Sequence, residues 1–208
     1  MSRRSLLRGA AYRPPEPEAA RQYLRGFNSK ELFTHPEAFP RLDSQHLFGN
    51  DRPLQLEIGC GTAEFLCALA LDNPQANFVG VDVMAKPLFK AVRNAAELAL
   101  PNIKFIKGDI ALLCPLLPDD ALEAIYIHFP DPHMRNRFRK RRVLSAAFLD
   151  QADRALAAGG LLSFMTDHRE FFMETLALLE DDRRFTKTHF ERYLVGFDTS
   201  AKSYFQQL

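Results

Sequence analysis

The sequence predicts an α/β fold: a doubly wound, mostly parallel seven-stranded sheet with an antiparallel strand pair at its C-terminal end. Three observations predict it. From Pro53 onward, apolar runs of strand length alternate with longer runs whose apolar residues recur at spacings of three and four. The first strand run ends in "GCGT", a glycine turn of the kind that joins a strand to a helix. Near the C-terminus two β-type runs follow one another with no helix between them, which favours antiparallel pairing.

In order, "PLQLEI" is the first strand and "AEFLCALAL" a buried helix. "ANFVGVDV" is the second strand, followed by the helix "KPLFKAVRNAAELAL". "NIKFIKGD" and "EAIYIHF" give the third and fourth strands. "RRVLSAAFLDQADRALAAGG" reads as one long helix stopped by its glycines. "LLSFMTD" is a fifth strand and "REFFMETLALLE" a further helix; "RFTKTHFERYL" and "AKSYFQQL" close the chain as the edge pair. Strands alternating with helices require right-handed crossovers, which place helices on both faces of the sheet. Residues 1–50, rich in Pro, Arg and polar groups, read as a basic arm or irregular lid, and residues 51–208 as the main domain.

Composition narrows the function classes. Apolar residues make up 47% and charged residues 25% of 208 positions, an ordinary globular balance. The apolar runs are all shorter than a membrane span requires. Cys60, Cys67 and Cys114 form no CxxC and are odd in number, which argues against a disulfide framework and fits a reducing cytoplasm. The six histidines lack zinc-ligand spacing with these cysteines, so no metal site is expected. The Arg-rich N-terminus has no long apolar segment and so is not a secretory signal; a basic arm that touches a polyanion is favoured over a transit peptide. With formal net charge +1, only the distribution of charge is informative, and the basic excess lies in this arm and in Arg135–Arg142.

In sheets of this kind ligands bind beyond the carboxyl ends of the strands. "LEIGCGTAEF" puts Glu57, Gly59 and Gly61 there, and Asp82 follows at the end of the second strand, where a carboxylate can accept from ribose hydroxyls. The dinucleotide fingerprint is incomplete, since Glu64 follows "GCGTA". Glu57 would repel a pyrophosphate but suits a ligand bearing an ammonium and a sulfonium. S-adenosylmethionine carries both and no phosphate. Asp109, after the third strand, adds a carboxylate able to bind an adenine amino group. The bland alternative is a tight strand–helix turn with solvated acids.

The motifs "LEIGCGTAEF", "GVDV", "KGD", "HFPDPHMRNRFRKRRV", "MTD" and "THFER" come in an order that resembles the tRNA (guanine-N7)-methyltransferases, from about Leu54 to the C-terminus. The FPDP segment and the basic run behind it are the most specific part. The resemblance implies a Rossmann-like methyltransferase domain, S-adenosylmethionine as cofactor and tRNA as partner. It implies cofactor contacts from Glu57, Gly59, Gly61, Asp82, Asp109 and Asp131, with Asp131 also the catalytic acid. It further implies substrate contacts from Arg135, Asp167, Thr188, His189, Phe190 and Glu191. The chain departs from the family pattern at His133, where Trp is usual, at Asp82, where Glu is common, and at Ala63, where a third glycine is expected.

The Pro-Asp-Pro turn has its own physical reading. Pro130 and Pro132 lack N–H donors and fix φ, so the fourth strand ends and Asp131 is held on a stiff loop. Arg135, Arg137, Arg139, Lys140, Arg141 and Arg142 follow as a phosphate-binding surface, set at what reads as a helix start, where positive charge opposes the macrodipole. Alternation along a strand would put Thr188 and Phe190 on one face and Glu191 on the other; without the resemblance Phe190 is a core residue. The competing readings are an RNA-binding protein that kept the fold without turnover, a nicotinamide-dependent oxidoreductase, and a methyltransferase with another substrate. A monomer or homodimer is the expected assembly.

Overall fold

The computed structural model describes residues 13–132 and 142–196. Among these residues six strands, all parallel, form one sheet: β1 (Leu24–Gly26), β2 (Leu54–Ile58), β3 (Asn77–Asp82), β4 (Ile103–Lys107), β5 (Leu122–His128) and β6 (Leu156–Met165). Their order across the sheet is β1-β4-β3-β2-β5-β6. The chain therefore builds outward from β2 through β3 to β4, then returns to β2's other side for β5 and β6. That reversal opens a crevice at the carboxyl ends of β2 and β5, the place where such sheets bind ligands.

Alternate strand residues feed two cores. Leu54, Leu56, Ile58, Val79, Val81 and Ile106 join one cluster with Leu149, Ala152 and Ala155 of helix α7 (Ala146–Ala155). Phe78, Ile103 and Phe105 point to the other face. They meet Leu66 and Ala70 of α4 (Glu64–Asp72) and Leu88, Ala91 and Val92 of α5 (Ala85–Glu97). The period of two along each strand thus produces the two-faced winding that the sequence predicts. Three short helices precede α4, namely α1 (Pro17–Tyr23), α2 (Ser29–Thr34) and α3 (Ser44–Phe48). The one-turn helix α6 (Ile110–Leu113) follows β4, and α8 (Arg169–Asp181) follows β6.

The segment read as an arm supplies an element the sequence did not announce. Leu24, Arg25 and Gly26 pair with Phe105, Ile106 and Lys107, so β1 extends the sheet beyond β4. The side chain of Lys104 donates to the Gln22 carbonyl at 2.8 Å, and that of Arg93 to the Arg13 carbonyl, which binds this segment to the main sheet.

Two sequence expectations require correction. The long helix expected from Arg141 begins, among the described residues, only at Ala146, where Ser145 accepts from the Phe148 N–H at 3.2 Å as its N-cap. It ends at Ala155, ahead of the glycines, because Leu156 turns extended and pairs with Leu122. Gly159 and Gly160 instead form a bulge: Leu122 pairs with Leu156 but Ala124 with Leu161. Gly159 has φ +77°, and a Cβ on Gly160 would lie 2.9 Å from the Ala157 carbonyl oxygen, so both positions require glycine.

The antiparallel pair is the second correction. Residues 184–194 form no strand, and every strand pairing among the described residues is parallel. Phe185 and Phe190 are five residues apart, so one strand would send them to opposite faces. The charged residues are drawn instead to neighbouring helices. Arg192 pairs with Glu180 through two bonds of 2.9 and 2.7 Å, and Arg184 reaches Asp150 at 2.9 Å. "AKSYFQQL" lies outside the described residues.

Candidate active site

The glycine turn after β2 is built by backbone hydrogen bonds. The N–H groups of Gly59 and Cys60 donate to the Val81 carbonyl at 2.7 and 3.1 Å, which folds the turn back against the end of β3. Gly59 and Gly61 have φ of +75° and +58°, where a Cβ is disfavoured. A Cβ on either would meet no atom within 4 Å, so the space over the turn is open. Ala63, at the position of the expected third glycine, also has positive φ, 57°, which explains why glycine suits that position. Glu64 opens α4 and pairs with Lys90 at 2.9 Å, while Asn94 donates to the Thr62 carbonyl at 3.0 Å. The turn is thereby fastened to α5 from outside.

Asp82 does more than the sequence suggests. It is buried, and its two oxygens accept from two backbone groups, Gly61 N–H at 3.0 Å and Met84 N–H at 2.8 Å. One carboxylate therefore fixes the glycine turn to the loop after β3, and its remaining lone pairs are what it can offer a ligand. Glu57 is buried one residue before the end of β2, paired across the sheet with Gly80 and Tyr126. Asp109 is exposed just beyond β4 and caps α6 by accepting from Ala111 N–H at 3.0 Å.

These acids leave a mark on their neighbours. Burial, then the nearby Glu57 and Asp82 carboxylates, push the Cys60 thiol well above its ordinary range. Burial and Glu57 push Cys67 up to about 12, and burial, Glu123 and Glu57 raise Tyr126 to about 12. The thiols are protonated at neutral pH and buried, so neither is a nucleophile.

Beyond β5, Phe129 adopts φ 50° and donates its N–H to the Met165 carbonyl at 2.8 Å, joining the ends of β5 and β6. Pro130 and the exposed Asp131 follow this turn. Asp167, also exposed, lies between β6 and α8, one residue before His168, whose Nδ1 accepts from Phe171 N–H at 3.3 Å. At the end of β5, His128 is buried, with Nε2 3.0 Å from the Ser163 hydroxyl and its ring against Phe65. Burial pulls its imidazole down to about 4, so the ring is neutral at pH 7.

The carboxylates expected from the sequence therefore lie along one end of the sheet. Glu57, Asp82, Asp109 and Asp131 stand at the carboxyl ends of four adjacent strands, β2, β3, β4 and β5, and Asp167 follows β6. Thr188, His189, Phe190 and Glu191 lie in the irregular segment after α8, tied to that helix by Arg192 and by Tyr193 against Phe172 at 5.2 Å. Phe190 is 99% exposed, not a core residue. Arg135, Arg137, Arg139, Lys140, Arg141 and His133 lie outside the described residues.

Arg142 departs from the sequence reading. Its Nε donates to the Pro132 carbonyl at 2.8 Å, Nη1 pairs with Glu174, and the guanidinium lies 4.6 Å from the Phe171 ring centroid. With a side chain only 10% exposed, it faces the protein rather than a polyanion. Nothing in a run of six like residues marks Arg142 as turning inward. Among the described residues no group of His, Cys, Asp or Glu could hold a metal ion, and no helix is long and apolar enough to cross a membrane.

A twisted parallel sheet with a glycine turn at its switch point and acids along the strand ends defines a Rossmann-like methyltransferase fold. The family described as "Putative methyltransferase" matches residues 51–202. A solved precorrin-6y C5,15-methyltransferase from Geobacter metallireducens GS-15 shares that fold with a TM-score of 0.50 at 16% identity, over 64% of this chain and 63% of its own.

Sequence comparison is more specific. A tRNA (guanine-N(7)-)-methyltransferase of Rubrobacter xylanophilus is 48% identical over all of this chain and 93% of its own. That of Chloroherpeton thalassium is 39% identical over 94% of this chain and 86% of its own. The chain belongs to the tRNA (guanine-N7)-methyltransferase family.

Proposed function

We propose that the protein transfers a methyl group from S-adenosylmethionine to N7 of a guanosine in tRNA, forming 7-methylguanosine. The observation that carries this reading is the row of carboxylates on four adjacent strand ends in a chain that, over its full length, is nearly half identical to an enzyme of that name.

The donor set fits the cofactor. Glu57 is a buried carboxylate beside an open glycine turn, a pairing that favours a cation over a phosphate. Glu57 holds the amino-acid end, Asp82 the ribose hydroxyls with the lone pairs its two backbone bonds leave, and Asp109 the adenine edge. When bound, S-adenosylmethionine supplies an electrophilic methyl on a sulfonium.

Guanine N7 has a lone pair and no proton, so the acceptor needs no general base. The work left to the protein is alignment and charge. Asp131, on a loop stiffened by Pro130 and Pro132, orients the guanine edge and offsets the positive charge that develops on the purine. Asp167, beyond the neighbouring strand, contributes to the same edge. The basic run behind Pro132 grips the phosphates that flank the target, and Thr188 to Glu191 contact the RNA from the segment that follows α8.

Incubation with labelled S-adenosylmethionine and unmodified tRNA, followed by digestion to nucleosides, tests the reading. Label in 7-methylguanosine is expected. Label in another nucleoside would move the target, and no transfer despite cofactor binding would favour a binding protein over an enzyme.

A further inference from the structure

Arg142 is the last of the basic run, yet three of its contacts are internal. The Nε bond goes to Pro132, the residue after Asp131. The other two, the Phe171 ring and Glu174, belong to α8, the helix that begins two residues after Asp167. One planar guanidinium thus bridges the loop that carries Asp131 and the helix that follows Asp167, the two acids assigned above to the guanine edge. Such a group is rigid, and its fork and flat face are used at once. We propose that Arg142 is a positioning residue for methyl transfer: a clamp that holds the Pro130–Pro132 loop against α8 and so fixes Asp131 relative to Asp167. The inference rests on the reading of those two aspartates as groups of the reacting site.

A phosphate contact and a clamp make opposite demands. A phosphate contact needs positive charge, which lysine also supplies, and its loss weakens tRNA binding and flattens the salt dependence by about one unit of slope. A clamp needs the Nε donor and the flat face, which lysine lacks. Displacing reacting groups by an ångström costs rate, on the order of 100-fold, without touching affinity.

The test measures Arg142→Ala, Arg142→Lys and Glu174→Gln beside the wild type. For each, kcat, tRNA Kd at several salt concentrations and backbone hydrogen exchange of the 128–132 and 166–171 segments are recorded. The clamp requires both arginine variants to lose kcat by about 10–100-fold, with tRNA Kd and salt slope unchanged. It also requires faster exchange in both segments, and unchanged exchange around the glycine turn. Glu174→Gln, which keeps the stack and the Pro132 bond, falls between; it carries the test if the arginine variants do not fold. Restoration by lysine, or a raised Kd with a flatter salt slope at unchanged kcat, would overturn the clamp. If the wild type transfers no methyl to tRNA, the functional reading fails, and the exchange data still decide whether the clamp exists.

Discussion

Replacing Asp82 by Asn tests whether the acid fastens the site or merely lines it. In the folded protein Oδ1 accepts from Met84 N–H at 2.8 Å and Oδ2 from Gly61 N–H at 3.0 Å. An amide keeps one acceptor and turns an NH₂ toward the other N–H, so one bond becomes a donor–donor opposition. The residue is 6% exposed, so water cannot repair the loss. Leaving one buried N–H without an acceptor costs about 1–3 kcal/mol. For a chain of 208 residues that is a fall in melting temperature of roughly 2–12 °C. The assay is urea and thermal unfolding of the ligand-free protein at pH 7, where no cofactor contact contributes. A variant within about 0.5 kcal/mol of the wild type that still loses cofactor affinity would refute the reasoning, because Asp82 would then act on the ligand alone.

Other expectations follow from the same geometry. Asp131→Ala should lower methyl transfer by about 100-fold or more; turnover within tenfold of wild type, about 1.4 kcal/mol, would remove Asp131 from the active site. His128 has its folded pKa lowered to about 4 from an ordinary 6.5, so it contributes stability that is complete above about pH 6.5 and is lost as pH falls toward 4. At about 1.4 kcal/mol per unit the loss reaches about 3 kcal/mol, and His128→Gln should lack that part of the slope; parallel curves for the two proteins between pH 6.5 and 4.5 would contradict it. Reversing Arg139, Lys140 and Arg141 to Glu should raise tRNA Kd and flatten its salt dependence by about 0.7–0.9 per lost phosphate contact. An unchanged slope would show that the run does not meet the backbone.

Most of the sheet was legible in the sequence because β2 to β5 are short apolar runs separated by helical segments, which makes their pairing parallel. β1 was not. It has three residues with no alternation, and only its partner β4 makes it a strand. The end of α7 was misplaced because glycine pairs mark both helix stops and bulges, and pairing with Leu122 decides between them. The C-terminal pair failed for a related reason: Thr186, Thr188 and Phe190 alternate with polar residues as a strand would, but charges on neighbouring helices captured the segment. The acids of the site were readable since each lies at a strand end. What the sequence could not show is which of their oxygens the backbone already uses, or that Arg142 turns inward.

The central claim is methylation of N7, and N7-methylguanosine alone among the expected products becomes labile to borohydride reduction and aniline scission. Unmodified tRNA would be incubated with the protein and S-adenosylmethionine, treated in this way and resolved by length. Chain breaks at guanosine that require both the cofactor and Asp131 are the expected result. Transfer of label into the tRNA without any scission would contradict the claim, leaving a methyltransferase of this fold that acts on a different atom.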